Sequence, residues 1–326
     1  MDFEKAVLEE KIYGQAPKDG QQIHITLATD EHFMPPTGIL MTSIIKNNPA
    51  RNFLFHVFLD KISCLDIKRV TELCQMSNNI QVKFYYVNPH LFNNLYFDKN
   101  YSVAIFYRIL AADILSADLD KVIYMDSDML CLKSMEELFN LPLDDIFLAA
   151  VIDKGVAGLS AHKREVGLHE SYPYFNSGFL YFNLKSWRDK KFFEQLLKVL
   201  SEVKYKFPDQ DALNIAIYRH GYAVKYLPDK FNHFFRVGGV EVPITDEVVI
   251  EHFAGHLKPW HPWFESDAKK FYEYYQSISP WRDFKYLPRD YQECRLMGRA
   301  LRREGNWTAA LQWYSKYVTK KFERFF

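Results

Sequence analysis

The chain has 326 residues, 48% of them hydrophobic and 25% charged, with acidic and basic side chains in equal number. That length can bury a large core as one α/β domain or two, and a formal net charge of zero removes the global field that a nucleic-acid partner would call for. No run of eighteen apolar residues occurs and the charged N-terminus carries no apolar stretch, so neither membrane spanning nor secretion is expected.

Residues 1–22 read as an N-terminal extension. From Ile23 to Asp153 strand-like and helix-like stretches alternate. An apolar strand at 23–29 is followed by a helical pattern at 38–48, a strand at 53–60, and a helix opening at Ser63 with Asp66 as its capping-box partner. A strand at 80–87, a helix at 103–115, a strand ending at Met125 and another at 146–152 come next. Strands separated by helices imply a mainly parallel α/β sheet covered on both faces, and ligands bind such sheets beyond the carboxyl ends of the strands. The order is less regular afterwards. Residues 175–187 read as a turn, a strand and a helix start, 208–221 as a Pro-initiated helix with a Gly stop, and 248–263 as a last strand running into a Gly-, Pro- and His-rich loop. Beyond Trp281, Arg and Lys outnumber Asp and Glu eleven to five, and Trp307, Leu311, Tyr314, Val318, Phe322 and Phe325 follow helical spacing. A basic, aromatic helix of this kind either lies on an anionic membrane surface or docks on the domain. Cys64, Cys74, Cys131 and Cys294 form no CxxC pair or metal-ligand spacing, so buried reduced thiols are expected, as in the cytoplasm.

The chemistry concentrates at strand ends. Asp126-Ser127-Asp128 closes the run KVIYM, and alternation puts both carboxylates on one side. Two charges so close repel unless a cation lies between them, which points to Mn²⁺ or Mg²⁺ completed by diphosphate oxygens; a solvated turn is the plainer alternative. Asp30, after Ala28 and Thr29, can accept from a pyrimidine imide or cap a helix. Arg108 lies on an otherwise apolar helix, so its charge needs a carboxylate or a phosphate. Asp209 and Asp211 flank Gln210 at a helix start, where acids favour the dipole. His252 at a strand end suits a third Mn²⁺ ligand, Gly255 permits close backbone approach, and Lys258 offers a point charge for phosphate.

Together ATD, YR ahead of YMDSD, FNSG, DQDALN and HFAGHLKPW, in this order, resemble glycosyltransferase family 8, the retaining UDP-hexose transferases of GT-A fold, over roughly residues 23–263. YKFPDQD, KPWHPW and the SPW at 279–281 with its basic tail are most similar to the bacterial branch that adds glucose or galactose to the lipopolysaccharide core. The resemblance implies a catalytic domain at 23–265 and a helical, basic and aromatic extension at 266–326. It implies that Asp126, Asp128 and His252 hold one Mn²⁺ or Mg²⁺. Ala28, Thr29, Asp30, His32, Phe33, Ser127, Gly255 and Lys258 would contact the nucleotide of UDP-glucose or UDP-galactose. Arg108, Asp126, Asn176, Ser177, Asp209 and Gln210 would hold the donor sugar, and Asp153 would face the acceptor, a lipopolysaccharide core. Gln210 stands where a nucleophile is expected. As an amide it favours front-side attack assisted by Lys258, with Asp211 the less favoured covalent alternative. The implied place is the cytoplasmic face of the inner membrane, held through the tail, with no nucleic acid involved. The rivals are a haloacid-dehalogenase-like phosphatase, which also uses DxD after a buried strand, and a non-catalytic sugar-nucleotide binding protein.

Overall fold

A computed structural model describes residues 6–323 apart from 18–19, 94, 96–101, 116, 157–158 and 203–204. Phe325 and Arg324 of the tail pattern lie outside the described residues.

The first half of the chain builds alternating strands and helices: β1 (Val7–Gly14), β2 (Gln22–Ala28), α1 (Met34–Asn47), β3 (Asn52–Leu59), α2 (Cys64–Gln75), β4 (Ile80–Val87), α3 (Tyr107–Leu115), β5 (Lys121–Asp126), the short β6 (Met129–Cys131), α4 (Glu136–Phe139) and β7 (Leu148–Ile152). The second half contributes α5 (Leu159–Glu165), β8 (Phe175–Asn183), α6 (Leu184–Asp189), α7 (Phe192–Glu202), α8 (Pro208–His220), β9 (Val224–Leu227), β10 (His233–Phe234), the hairpin β11 (Arg236–Val237) and β12 (Val240–Glu241), β13 (Ile250–His252) and the helices α9 (Lys269–Ile278), α10 (Tyr291–Arg303) and α11 (Trp307–Glu323). Eight strands form one sheet in the order β1-β4-β3-β2-β5-β8-β7-β9. Only β1 and β8 run against the other six, so the mainly parallel sheet expected from the sequence is present. Strand alternation loads both faces. On β3, Phe53, Phe55 and Val57 enter one core, shared with α1, α2 and α9. Phe58 and Tyr85 enter the other, with α3 and α7.

Three differences from the sequence reading have physical causes. Residues 7–14 pair antiparallel with β4 as an edge strand, although their charges hid it. Glu10 meets Lys83 across the pair, Leu8 and Ile12 face solvent, and charged edges of this kind deter further pairing. At Ser63 the hydroxyl accepts from Asp66 N–H, as expected of a cap. The reciprocal arm is redirected: the Asp66 carboxylate takes the Ser63 hydroxyl and the Trp281 indole N–H instead of a backbone donor. Cys64, expected buried, is exposed at the first turn of α2, while the other three thiols are buried and all four are free.

The tail divides in two. Trp281 is fully buried against Gly38 of α1, where an added Cβ would come within 2.3 Å of the indole ring. Together with Tyr272 and Tyr275 it joins α9 to the main core, so the first part of the extension is docked. Helices α10 and α11 pack on each other, with Gly298 admitting the Tyr314 ring. Trp307, Leu311, Val318 and Phe322 are left exposed along α11. Among the described residues no helix is long and apolar enough to cross a membrane.

Replacing Trp281 by Ala removes a fully buried indole and takes one donor from the Asp66 carboxylate. The variant is expected to lose about 3–5 kcal/mol in equilibrium denaturation. An unchanged midpoint would show that residues 266–283 are not part of the folded core.

Candidate active site

Three pairings bring distant residues to the carboxyl end of β5. First, β6 pairs antiparallel with β13, setting His252 opposite Met129, and Phe253 N–H donates to Asp128 C=O at 3.0 Å. Second, β8 runs antiparallel beside β5 with Phe179 opposite Met125, so the start of β8, Asn176-Ser177-Gly178, lies beside Asp126. Third, the Ser127 hydroxyl donates to Ala28 C=O and receives the Thr37 hydroxyl. This stitches the turn to β2 and α1 and leaves Asp126 and Asp128 directed to the other side.

The Asp126, Asp128 and His252 ligand atoms lie within 4.8 Å of one another. His252 Nε2 stands 3.2 Å from Asp128 Oδ1 and 3.9 Å from Asp126 Oδ2. The ring's tautomer follows from a chain of donors. Gly178 N–H donates to Asn176 Oδ1, that oxygen also receives Asn232 Nδ2, and Asn232 Oδ1 is therefore the acceptor for His252 Nδ1–H at 2.8 Å. Nε2 is then the ring nitrogen that faces the two carboxylates, placed where it can ligate a cation between them. Gly178 closes the cradle: a Cβ there would come within 2.5 Å of His252 and 2.9 Å of Asp126 Oδ2. Two carboxylate oxygens and one imidazole nitrogen, oriented by an outer amide, are a donor set that suits Mn²⁺ or Mg²⁺.

Fixed cations complete the charge balance. Arg108 Nη2 meets Asp126 Oδ1 at 2.9 Å and its Nε meets Asp209 Oδ2 at 3.0 Å, so the partners foreseen for its buried charge are carboxylates. Tyr124 OH donates to the same Asp126 oxygen. Lys258 Nζ meets Asp128 Oδ2 at 2.5 Å and donates to Phe253 C=O. Burial raises the Asp126 carboxyl above its ordinary value against the pull of Arg108, and Asp128 adds to the rise. Burial acts the same way on Asp128, but Lys258 and His252 overcome it and hold that carboxyl below the usual range.

The wall beside this cluster is a closed amide network. Ser177 N–H fixes Gln210 Oε1 as an acceptor, which also takes Asn176 Nδ2. Gln210 Nε2 then donates to Asp153 Oδ2 at 3.0 Å and to Tyr174 OH at 3.3 Å. Asp153 Oδ1 accepts from the backbone of Gly155 and Val156, and the Ser177 hydroxyl donates to Asp209. Asp211 differs from its expected role. It is fully buried, one oxygen taken by His162 and Tyr174 and the other by Phe207 N–H, so it is not displayed as a nucleophile. Asp30 lies at the end of β2 and accepts through Oδ1 from His32 and Phe33 N–H, capping the turn into α1. His32 is exposed, and Phe33 meets Trp260 edge to face. Gly255 has φ +93°, a backbone conformation that favours glycine.

The family model described as Glycosyl transferase family 8 matches residues 24–264. The chain belongs to glycosyltransferase family 8. Lipopolysaccharide 1,2-glucosyltransferase of Escherichia coli is 30% identical over 281 residues, covering 82% of this chain and 81% of that one. Lipopolysaccharide 1,3-galactosyltransferase of Salmonella typhimurium is 27% identical over 334 residues, covering 98% of each. Among solved structures, the galactosyltransferase LgtC in complex with donor and acceptor sugar analogs aligns with a TM-score of 0.64 at 24% identity, over 83% of this chain and 99% of that one. The fold is therefore of the GT-A type, which removes the phosphatase reading. In this family 8 member the sequence reading missed Tyr124, Gly178, Asn232 and Tyr174. Gly178 was visible within FNSG, whereas Asn232 stands in KFNHFF with no periodic or motif signal.

Because Asn232 sets the His252 tautomer, Asn232→Ala is expected to weaken Mn²⁺ binding by about 10- to 100-fold in titration calorimetry without unfolding the chain. Parental affinity would mean that His252 is oriented by other groups.

Proposed function

We propose that this glycosyltransferase moves glucose or galactose from its UDP derivative to a lipopolysaccharide core oligosaccharide with retention of configuration. The observation that carries the reading is the convergence of Asp126, Asp128 and His252 Nε2 beside Lys258 in a family 8 chain; the two named relatives support the acceptor class. Asp126, Asp128 and His252 would hold Mn²⁺ or Mg²⁺. Bound there, such an ion neutralises charge on the diphosphate as UDP leaves.

The protein's own groups do the rest. Lys258 places an ammonium next to Asp128, where it can follow the departing phosphate oxygen. Ala28, Thr29, Asp30, Phe33, Ser127 and Gly255 border the nucleotide end, with His32 at the rim. Arg108, Asn176, Ser177, Asp209 and Gln210 form the sugar wall, and their mutual bonds fix it before the donor arrives. Asp153, tied to Gln210, faces the acceptor side. Gln210 is an amide and Asp211 has both oxygens engaged, which favours front-side substitution over a covalent intermediate. The acceptor oxygen bonds to the anomeric carbon as the carbon–oxygen bond to phosphate breaks, and the acceptor proton passes to the leaving phosphate oxygen.

The exposed stripe Trp307, Leu311, Val318 and Phe322, with Lys316, Lys320 and Lys321 on the same helix, would rest α11 on the anionic cytoplasmic face of the inner membrane.

UDP release from UDP-glucose or UDP-galactose is expected to require Mn²⁺ or Mg²⁺, to stop with EDTA and to be lost in Asp128→Ala. Transfer to truncated lipopolysaccharide cores, with linkage determination, then names donor and acceptor. Failure of the chain to release UDP from both donors and to transfer to any core would sink the reading. For the tail, Trp307→Ser combined with Leu311→Ser and Phe322→Ser should reduce sedimentation with anionic vesicles by about tenfold or more. Equal sedimentation of variant and parent would discard membrane attachment through α11.

A further inference from the structure

We propose that Tyr286 and His261 are positioning residues for Lys258, making the C-terminal extension part of the catalytic machinery. The inference rests on the role of Lys258 given above, and it concerns Tyr286, which lies beyond the family match at 24–264.

Lys258 belongs to a loop without regular secondary structure, so its backbone has to be held by other means. Both of its backbone groups are taken by one residue. Its N–H donates to His261 Nδ1 at 3.2 Å and its C=O accepts from His261 N–H at 3.0 Å. An Nδ1 that accepts a backbone N–H must carry no proton, and burial, reinforced by Lys258 and Arg289, pushes the His261 pKa down to about 3. The acceptor therefore persists at any working pH.

The imidazole packs in a three-ring cluster with Trp263, at a centroid distance of 4.7 Å, and Tyr286, at 4.6 Å, which themselves meet edge to face at 5.8 Å. Tyr286 is in turn held by the start of α10. Its hydroxyl donates to Glu293 Oε1 at 2.7 Å and accepts from Arg289 Nε, while Glu293 Oε2 takes Arg289 N–H. Asp290 caps the same helix through Glu293 N–H. A continuous path of contacts thus runs from the first turn of α10 through Tyr286, His261 and the Lys258 backbone to Nζ and the Asp128 carboxylate. Nζ sits on a four-carbon stem with many rotamers, so small backbone shifts at residue 258 translate into misplacement of the charge.

Two readouts test this, both with the full chain. One is Mn²⁺-dependent UDP release from UDP-glucose and UDP-galactose; the other is the rate of Lys258 acylation by an amine-reactive ester, read by peptide mass spectrometry. His261→Phe keeps a ring and loses the acceptor, and Tyr286→Ala removes the ring that packs on the imidazole. Each should lower kcat/KM for the donor by about tenfold or more and speed Lys258 acylation by a similar factor. His261→Asn restores an acceptor oxygen and should recover most of the loss. Tyr286→Phe, the mildest change, should fall between parent and Tyr286→Ala. In a Lys258→Ala background His261→Phe should cost nothing further, since its effect passes through the missing amine. An equal loss in both backgrounds, or an acylation rate unchanged in His261→Phe and Tyr286→Ala chains of parental melting temperature, overturns the proposal. A parent chain that releases no UDP from either donor, while acylation responds as expected, would remove the function proposed above and leave the coupling standing.

Discussion

Asp126 and Asp128 leave one strand with their carboxylates converging on a single imidazole, and the repulsion between those charges dictates what must surround them. Arg108 and Tyr124 anchor Asp126 from one side, Lys258 anchors Asp128 from the other, and His252 turns Nε2 into the gap. None of these partners is optional in a half-buried site, because an uncompensated carboxylate there is far costlier than the bonds that hold it. The same concentration of negative charge, with an imidazole nitrogen beside it, is a donor set that suits a divalent cation. Stability and chemistry thus make the same electrostatic demand.

The sheet meets that demand by breaking its own rule. In an all-parallel sheet the neighbour of β5 would enter the site with its carboxyl end. Strand β8 instead runs the other way and brings its first residues beside Asp126. That reversal lets Gly178 pass beneath His252 without a side chain and lets Asn176 and Ser177 reach the start of α8. Asparagine 214 secures the arrangement by bonding both backbone groups of Phe175. The amides of Asn176, Gln210 and Asn232 then orient one another from two backbone N–H groups, so a row of nominally ambiguous side chains has one consistent set of donors and acceptors.

The C-terminal extension is two structures with different physics. Its first part is core, with Trp281 closing over Gly38 and satisfying Asp66, and Tyr286 packing on the loop that carries Lys258. Its last part is a helical hairpin whose apolar stripe has nothing of the chain over it among the described residues. Composition alone joined the two parts into one basic, aromatic tail.

Much of the fold was legible because short-range rules write it locally. Alternating apolar positions mark β2 to β5, Pro208 and Gly221 bound α8, with Gly221 at φ +63°, and Asp126-Ser127-Asp128 at a strand end announces the site. The charged strand β1 escaped that reading, since edge strands carry charge for reasons that resemble disorder in a sequence. What only the tertiary structure decided are contacts made across long stretches of chain: Lys258 on Asp128, Asn232 on His252, Trp281 on Asp66 and Tyr286 on His261. Their energies come from desolvation and from geometry that the intervening fold imposes. A sequence records which residues are available for such contacts, but the distance and direction that make them partners exist only once the sheet has closed around them.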